Sequence, residues 1–264
     1  MHAVRPNPPA PSQIIPPLGK RQAFMSTATD VPMADVRDMY VAHTVFRREF
    51  GLAPGLIRGV SNGDTTRSKI VAAHLDIVLG MLLTHHEGED LLVWPRLLER
   101  VSEEIAPVVH LMEEHHGRMH TLCDELTAQL KSWRSNASSA EGETVAATCE
   151  RLNEVLFEHM GLEEKKILPL AAKYITAKEW HEFSEHALAE TPKKNLPLGL
   201  GLALYEGDPE VMKGVLKGAP LPVRLIMPVI SRRLFRSHAK KVHGTPTPPR
   251  ASTTAADLRV RDRT

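Results

Sequence analysis

Apolar residues recur at three- and four-residue steps through most of the chain from residue 32 onward. This periodicity is typical of amphipathic helices, each with one face turned toward a core. It predicts four long helices, over residues 32–50, 65–100, 107–133 and 143–174. Gly51, Pro54 and Gly55 are expected to end the first helix, and Pro95 is expected to kink the second.

Four long helices joined by short links predict an all-α fold, an antiparallel up-down four-helix bundle with additional C-terminal helices. Asp64 is a good candidate for the N-cap of the second helix, and a capping-box sequence at Thr176 predicts a helix to about residue 190. A short helix is expected after Asp208, and a last one over residues 221–242 with a break at Pro228. The polar stretch 135–142 is expected to be a loop.

Composition and charge narrow the classes of function. The 33 basic side chains nearly balance the 32 acidic ones, so net charge offers no argument for a nucleic-acid partner. No uninterrupted apolar run reaches the roughly 20 residues of a membrane span, so no membrane partner is expected. The two cysteines, Cys123 and Cys149, form neither a CxxC pair nor a disulfide framework, which fits the cytoplasm.

Two stretches of the chain repeat one arrangement of histidine, carboxylate and proline. Glu89 follows His85 by four residues, Glu163 follows His159 by four, and a proline stands ten residues after each histidine. Residues four apart lie on the same face of a helix, roughly 6 Å from each other. Each pair can therefore bind one side of a metal ion.

The first and third predicted helices also carry histidines on their apolar, inward-facing sides. His116 and His120 have the four-residue spacing, and His43 lies in the apolar stripe of the first helix. The candidate metal ligands are therefore seven: His43, His85, Glu89, His116, His120, His159 and Glu163. Five imidazoles and two carboxylates exceed the four ligands of a tetrahedral zinc site and suit two ions better than one. This mixture favours iron, and zinc, manganese or cobalt are alternatives.

The order of these ligands, one His followed by HxxxE, HxxxH and HxxxE, resembles the hemerythrin-like family of HHE cation-binding domains. The resemblance covers about residues 33–190 and implies two non-haem iron ions. It implies that His116, His120 and His159 bind one iron and that His43 and His85 bind the other. Glu89 and Glu163 would bridge the two irons together with an oxygen species.

Neighbours of the seven ligands have weaker claims to the metal. In the oxygen carriers of this family the last carboxylate follows its histidine by five residues, which here is Glu164, whereas the internal repeat favours Glu163. Asp90 and Glu164 are expected to face a neighbouring helix or solvent. His86 and His115 point about 100° away from the adjacent ligands and are expected to be solvated or to support them. His74 is expected to be a structural histidine, with the lining of an access path as the alternative. Cys123 is expected to pack in the core, with a redox role as the alternative.

The resemblance implies a cytoplasmic protein that handles or senses dioxygen, peroxide, nitric oxide or iron. Three hypotheses stay open: a di-iron protein that binds a small ligand, a peroxide-decomposing enzyme, and a regulatory module acting through its C-terminal region on a protein partner that the sequence does not identify. The predicted organisation is a disordered proline-rich tail (1–32), the di-iron domain (33–190), a helical extension packed on it (191–243) and a second disordered tail (244–264).

Overall fold

The computed structural model of the protein describes residues 31–101, 103 and 105–251. Its helical elements are α1 (Arg37–Arg58), α2 (Thr65–Gly88), α3 (Trp94–Arg100), α4 (Ala106–Asn136), α5 (Ser139–Leu162), α6 (Leu168–Tyr174), α7 (Ala177–Glu190), α8 (Leu196–Glu206), α9 (Pro209–Leu216) and α10 (Leu221–His243). One isolated bridge pairs Met33 with Thr176. Apart from that bridge, the regular secondary structure of the described residues is entirely helical, as the periodicity predicts.

The four long helices each pack on two of the others. Helix α1 contacts α2 and α5, and α4 contacts the same two helices. The apolar interior of the described residues forms three clusters. One joins Val45 of α1 to α8 and α10. Of the other two, one contains Met119 of α4 and the other Met112, with His116 between them in the helix. Polar ligands on these faces therefore lie where these last two clusters meet. The antiparallel order of the helices stays a prediction.

A π-helical segment interrupts each of the two repeated stretches. One spans Glu89–Val93 and the other Glu163–Ile167, so each begins at the predicted metal-binding carboxylate. Pro95 and Pro169 follow directly, in the first turns of α3 and α6. A proline has no N–H and its ring crowds the preceding turn, and the wider π turn accommodates both effects without ending the helix. The expected kink at Pro95 is therefore a local π-helical turn.

The prediction that Gly51, Pro54 and Gly55 end the first helix is wrong, since α1 continues to Arg58. Pro54 cannot donate to the carbonyl of Phe50, four residues earlier. The side-chain amide of Asn153 in α5 donates to that carbonyl instead, at 2.9 Å. A tertiary hydrogen bond thus satisfies the group that the proline leaves unpaired, and the helix persists.

Two further boundaries differ from the predictions. The predicted loop 135–142 shrinks to a two-residue link, in which Ala137 adopts a left-handed conformation (φ 50°) and Ser138 caps α5. Helix α10 passes through Pro228 without a break. The carbonyl that Pro228 leaves unpaired belongs to the exposed Arg224, where water can bond it. The predicted caps at Asp64 and Thr176 are confirmed, the latter as a complete capping box.

The C-terminal helices pack on the first half of the chain. Helix α8 contacts α1 and α10, and α10 also contacts α2. Of the two predicted tails, residues 1–30 and 252–264 lie outside the described residues. Pro32 and residues 244–251 are described, and the Tyr205 hydroxyl donates to the carbonyl of Pro248 at 2.6 Å.

One helical stretch in the described part of the chain, Thr65–Arg100, is long and apolar enough to cross a membrane, judged by length and composition alone. Half of the most apolar part of this stretch is buried within the fold, where the helix packs on the other long helices. Its apolar character is accounted for by the core, so it is weak evidence for a membrane span.

Candidate metal centre

Six of the seven predicted ligands converge in the interior. All six side chains are buried, and they come from α1, α2, α4, α5 and the two π-helical segments: His43, His85, Glu89, His116, His159 and Glu163. Ionisable groups are rarely buried unless a partner or a metal compensates them. The burial of six ionisable side chains in one place therefore requires a partner or a metal that compensates them.

Glu89 lies between two groups of histidines. One of its oxygens is 3.1 Å from Nε2 of His85, and the other is 3.3 Å from Nε2 of His116. Potential ligand atoms within 4.8 Å of one another form two groups here, His43–His85–Glu89 and His86–Glu89–His116–His159. Because Glu89 belongs to both groups, its two oxygens can serve two cations at once.

Glu163 makes a second connection between the same groups. Its Oε2 is 3.1 Å from Nε2 of His43 and 3.6 Å from Nε2 of His159. His43 belongs to one group and His159 to the other. The pair of carboxylates therefore lies between two sets of imidazoles.

Most of the inward-facing atoms of this cluster have no hydrogen-bond partner that would account for their burial. Both oxygens of Glu89 and of Glu163 lack a partner, and so does Nε2 of His43, His85 and His86. Leaving such groups unpaired costs kilocalories for each group. Lone pairs that point at a common centre without a donor are the arrangement that a cation satisfies, so these residues fit a metal centre.

The outer nitrogens of two histidines are held by carboxylates. Asp90 lies 2.7 Å from Nδ1 of His116, and Glu164 lies 2.9 Å from Nδ1 of His43 and also accepts from Arg47. A proton on Nδ1 leaves the lone pair of Nε2 free to point at the metal position. Asp90 and Glu164 thus face neighbouring helices from outside the cluster, as their five-residue spacing predicts, and there they orient two of the histidines.

The structure does not bring His120 to this cluster. Its side chain is 65% exposed, and Nδ1 lies 3.3 Å from the surface carboxylate of Asp124. The buried face of α4 contains Met112, His116 and Met119. His120 is about 100° further round the helix from Met119, at the edge of that face. The rotation of α4 relative to its neighbours places the His120 side chain outside the cluster. Sequence spacing does not reveal that rotation.

His86 lies in the group of histidines expected to contain His120, and it is buried, contrary to the expectation that it is solvated. The side chain is buried, and its ring stacks on that of His116 with centroids 4.1 Å apart. It belongs to the group that contains Glu89 and His159. A signal existed in the sequence, because His86 and Glu89 are three residues apart and such residues are also neighbours on a helix.

The two buried carboxylates influence one another strongly. Burial would raise the pKa of Glu89, but His85 and His116 hold it well below its usual range. The pKa of Glu163 is raised by burial and by the negative charge of Glu89. Two carboxylates this close repel each other when both are ionised. A cation between them would remove that repulsion.

The imidazoles divide into two electrostatic types. Burial lowers the pKa of His43, but Glu163 and Glu164 more than offset this effect and raise it to about 9. The pKa values of His86 and His159 are lowered well below the usual value by burial. Neutral imidazole is the form that binds metals, so burial already keeps His86 and His159 in their ligand form.

His86 and His120 make a matched pair for mutation. His120→Ala is expected to keep the wild-type metal content, because that side chain is exposed and outside the cluster. His86→Ala is expected to weaken metal binding by about 10- to 100-fold, the range for an outer-sphere loss, or by more if His86 is a ligand. Metal analysis after dialysis against a graded chelator measures both. Loss of metal from His120→Ala with retention in His86→Ala would restore the ligand set predicted from the sequence.

Comparison with known proteins agrees with the geometry. Residues 34–171 match the family model of the hemerythrin HHE cation-binding domain, and all six converging ligands lie within this range. No curated protein and no solved structure matches the chain significantly. The match covers more than half of the 264 residues. The chain therefore belongs to the hemerythrin HHE cation-binding domain family.

Proposed function

We propose that the protein is a non-haem di-iron protein that binds or senses dioxygen or a related small ligand such as peroxide or nitric oxide. The observation that carries the proposal is the placement of two buried carboxylates, Glu89 and Glu163, between two groups of histidines. A single zinc ion would use four ligands and leave the remaining buried groups uncompensated. Two ions with mixed nitrogen and oxygen ligands account for all of them, and iron suits that mixture.

The surroundings of His85 support a small, weakly polar ligand. A cavity of about 170 Å³ lies beside α1 and α2, and apart from Asp38 its lining is apolar, including Phe46, Met81 and Ala203. The ring of Phe46 also contacts His85, with centroids 5.3 Å apart. Apolar surroundings next to His85 favour a ligand that needs no hydrogen bonds, such as dioxygen or nitric oxide, over hydrogen peroxide.

When bound, a pair of iron ions supplies a site for reversible ligand binding or for redox chemistry with peroxide. The protein's own residues prepare that site. Glu164 and Asp90 orient His43 and His116, so that their Nε2 atoms face inward. Phe183 packs on the ring of His85 at 5.8 Å and helps to exclude water from that side. The resulting environment is buried, and His43 and His116 are oriented before metal binding.

The proposal is tested by metal analysis and optical spectra of freshly purified protein from iron-replete cells. We expect close to two irons per chain and near-ultraviolet charge-transfer bands in the oxidised protein. We expect those bands to change when the reduced protein is exposed to dioxygen or nitric oxide. One tightly bound zinc ion and no iron would contradict the proposal.

The same preparation distinguishes the remaining hypotheses. Sustained release of oxygen from added peroxide, proportional to iron content, would make the protein a peroxide-decomposing enzyme. A protein captured by the full chain but not by a chain lacking residues 192–264 would favour a regulatory module. The cytoplasmic location remains part of the proposal, and the free cysteines Cys123 and Cys149 support it.

A further inference from the structure

A second cluster of potential ligands lies outside the family's ligand pattern. Glu49 of α1 and His74 of α2 are buried, and His243, the last residue of α10, reaches them from the C-terminal part of the chain. Their ligand atoms lie within 4.8 Å of one another. We propose that these three residues form a separate site for one zinc-type divalent metal ion, which fastens α10 to the first two helices.

The spacing of the ligand atoms matches a single small cation. Oε2 of Glu49 is 3.0 Å from Nε2 of His74 and 3.4 Å from Nε2 of His243. Zinc binds nitrogen and oxygen at about 2.0–2.2 Å, so two ligands of one tetrahedral ion lie about 3.3 Å apart. Two histidines and one carboxylate are also an established zinc-binding combination that leaves one position open.

Two polar atoms of the cluster lie close together without an aligned hydrogen bond. Oε2 of Glu49 and Nε2 of His74 are buried and lack a hydrogen-bond partner, although they are only 3.0 Å apart. Such a distance with unsuitable N–H geometry is what two lone pairs facing a shared cation produce. A carboxylate–histidine hydrogen bond would instead align the N–H with the oxygen.

The neighbours of the cluster prepare it for a metal. Nδ1 of His74 lies 3.1 Å from Nε2 of His238, so a proton on Nδ1 can be donated to His238 and leaves Nε2 of His74 as a lone pair. The other oxygen of Glu49 accepts from Arg48. This contact occupies Oε1 and leaves Oε2 as the single metal-binding oxygen of that carboxylate.

The position of His243 gives the site its structural consequence. Arg67 of α2 donates to the carbonyls of Lys241 and Val242, at 2.6 Å in the first case, so the end of α10 is already held near α2. A metal ion bound by His74 and His243 would join the same two helices. The three ligands are distinct from those of the di-iron centre, so this proposal does not depend on the proposed function.

The test uses the full chain, purified with its iron and dialysed against buffered Zn²⁺, with zinc and iron measured in the same sample. We expect one zinc per chain in addition to unchanged iron, and at least a 100-fold weaker zinc affinity in His243→Ala. Zinc should also slow the proteolytic release of α10 in the wild type but not in the variant. If the preparation contains no iron, the difference in bound zinc per chain between the wild type and His243→Ala still decides the proposal.

A matched control and a second variant keep the test decisive. His181→Ala removes a histidine whose side chain is 62% exposed and should leave zinc binding unchanged. His243→Gln, which keeps a polar side chain, replaces His243→Ala if the latter lowers helicity in circular dichroism. No zinc on the wild type, equal affinity in the His243 variant, or zinc uptake matched by iron loss would each overturn the proposal.

Discussion

Glu163→Ala is expected to lower the iron content from two ions per chain to one or none. The carboxylate is fully buried, and its Oε2 lies 3.1 Å from Nε2 of His43 and 3.6 Å from Nε2 of His159. It therefore connects the two groups of histidines, and its loss would leave both cations with only Glu89 as a buried negative ligand. Iron per folded chain is the measurement, on proteins matched by circular dichroism because an unfolded variant also loses iron.

Glu164→Ala is the matched control for this variant. Glu164 differs from Glu163 by one position but bonds Nδ1 of His43 and Arg47 from outside the cluster. We expect two irons to be retained at saturating iron, with affinity lower by about 10- to 100-fold because His43 loses its orienting partner. If Glu164→Ala empties the site while Glu163→Ala keeps both irons, the five-residue spacing of the oxygen carriers applies here.

Removal of metal by a chelator is expected to lower the melting temperature by on the order of 10 °C. A ligand at 1,000 times its dissociation constant stabilises the native state by about 4 kcal/mol, and for a chain of this size each kcal/mol corresponds to about 2–4 °C. The physical reason is that ligands from α1, α2, α4 and α5 share the centre, and stripping it strands the unpartnered buried atoms of Glu89 and Glu163.

Differential scanning calorimetry with and without chelator measures the shift. His243→Ala should retain most of it, which separates the di-iron centre from the second site at the end of α10. The Glu163→Ala protein should respond much less to the chelator, because little metal remains to be removed. An apoprotein that melts at the temperature of the holoprotein would show that the centre is not coupled to folding.

The local geometry of the repeated stretches is a property of the sequence. His85 with Glu89, and His159 with Glu163, share a helix face wherever the helix is placed, because four residues make about one turn. Caps such as Asp64 and Thr176 are likewise local, since their side chains bond backbone groups two or three residues away. These features were predictable and agree with the structure.

Helix continuity at proline was not predictable from local rules. Local rules predict that Pro54 ends the helix. Helix α1 nevertheless continues, because the side-chain amide of Asn153, about a hundred positions later, donates to the carbonyl of Phe50. This hydrogen bond requires α5 to pack beside α1 in one particular axial register. No local pattern contains that information, whereas the packed structure does.

The different placement of His86 and His120 likewise depends on packing and not on local sequence. His86 lies one residue after His85 and His120 lies one turn after His116, so helical spacing alone favours His120 as the ligand. The sequence by itself determined that histidines and carboxylates share the inner faces of four helices, because that depends only on the helical repeat. Tertiary packing alone decided that His86 is enclosed and His120 exposed, and that Glu49, His74 and His243 meet, because these outcomes depend on how separate helices are rotated and aligned.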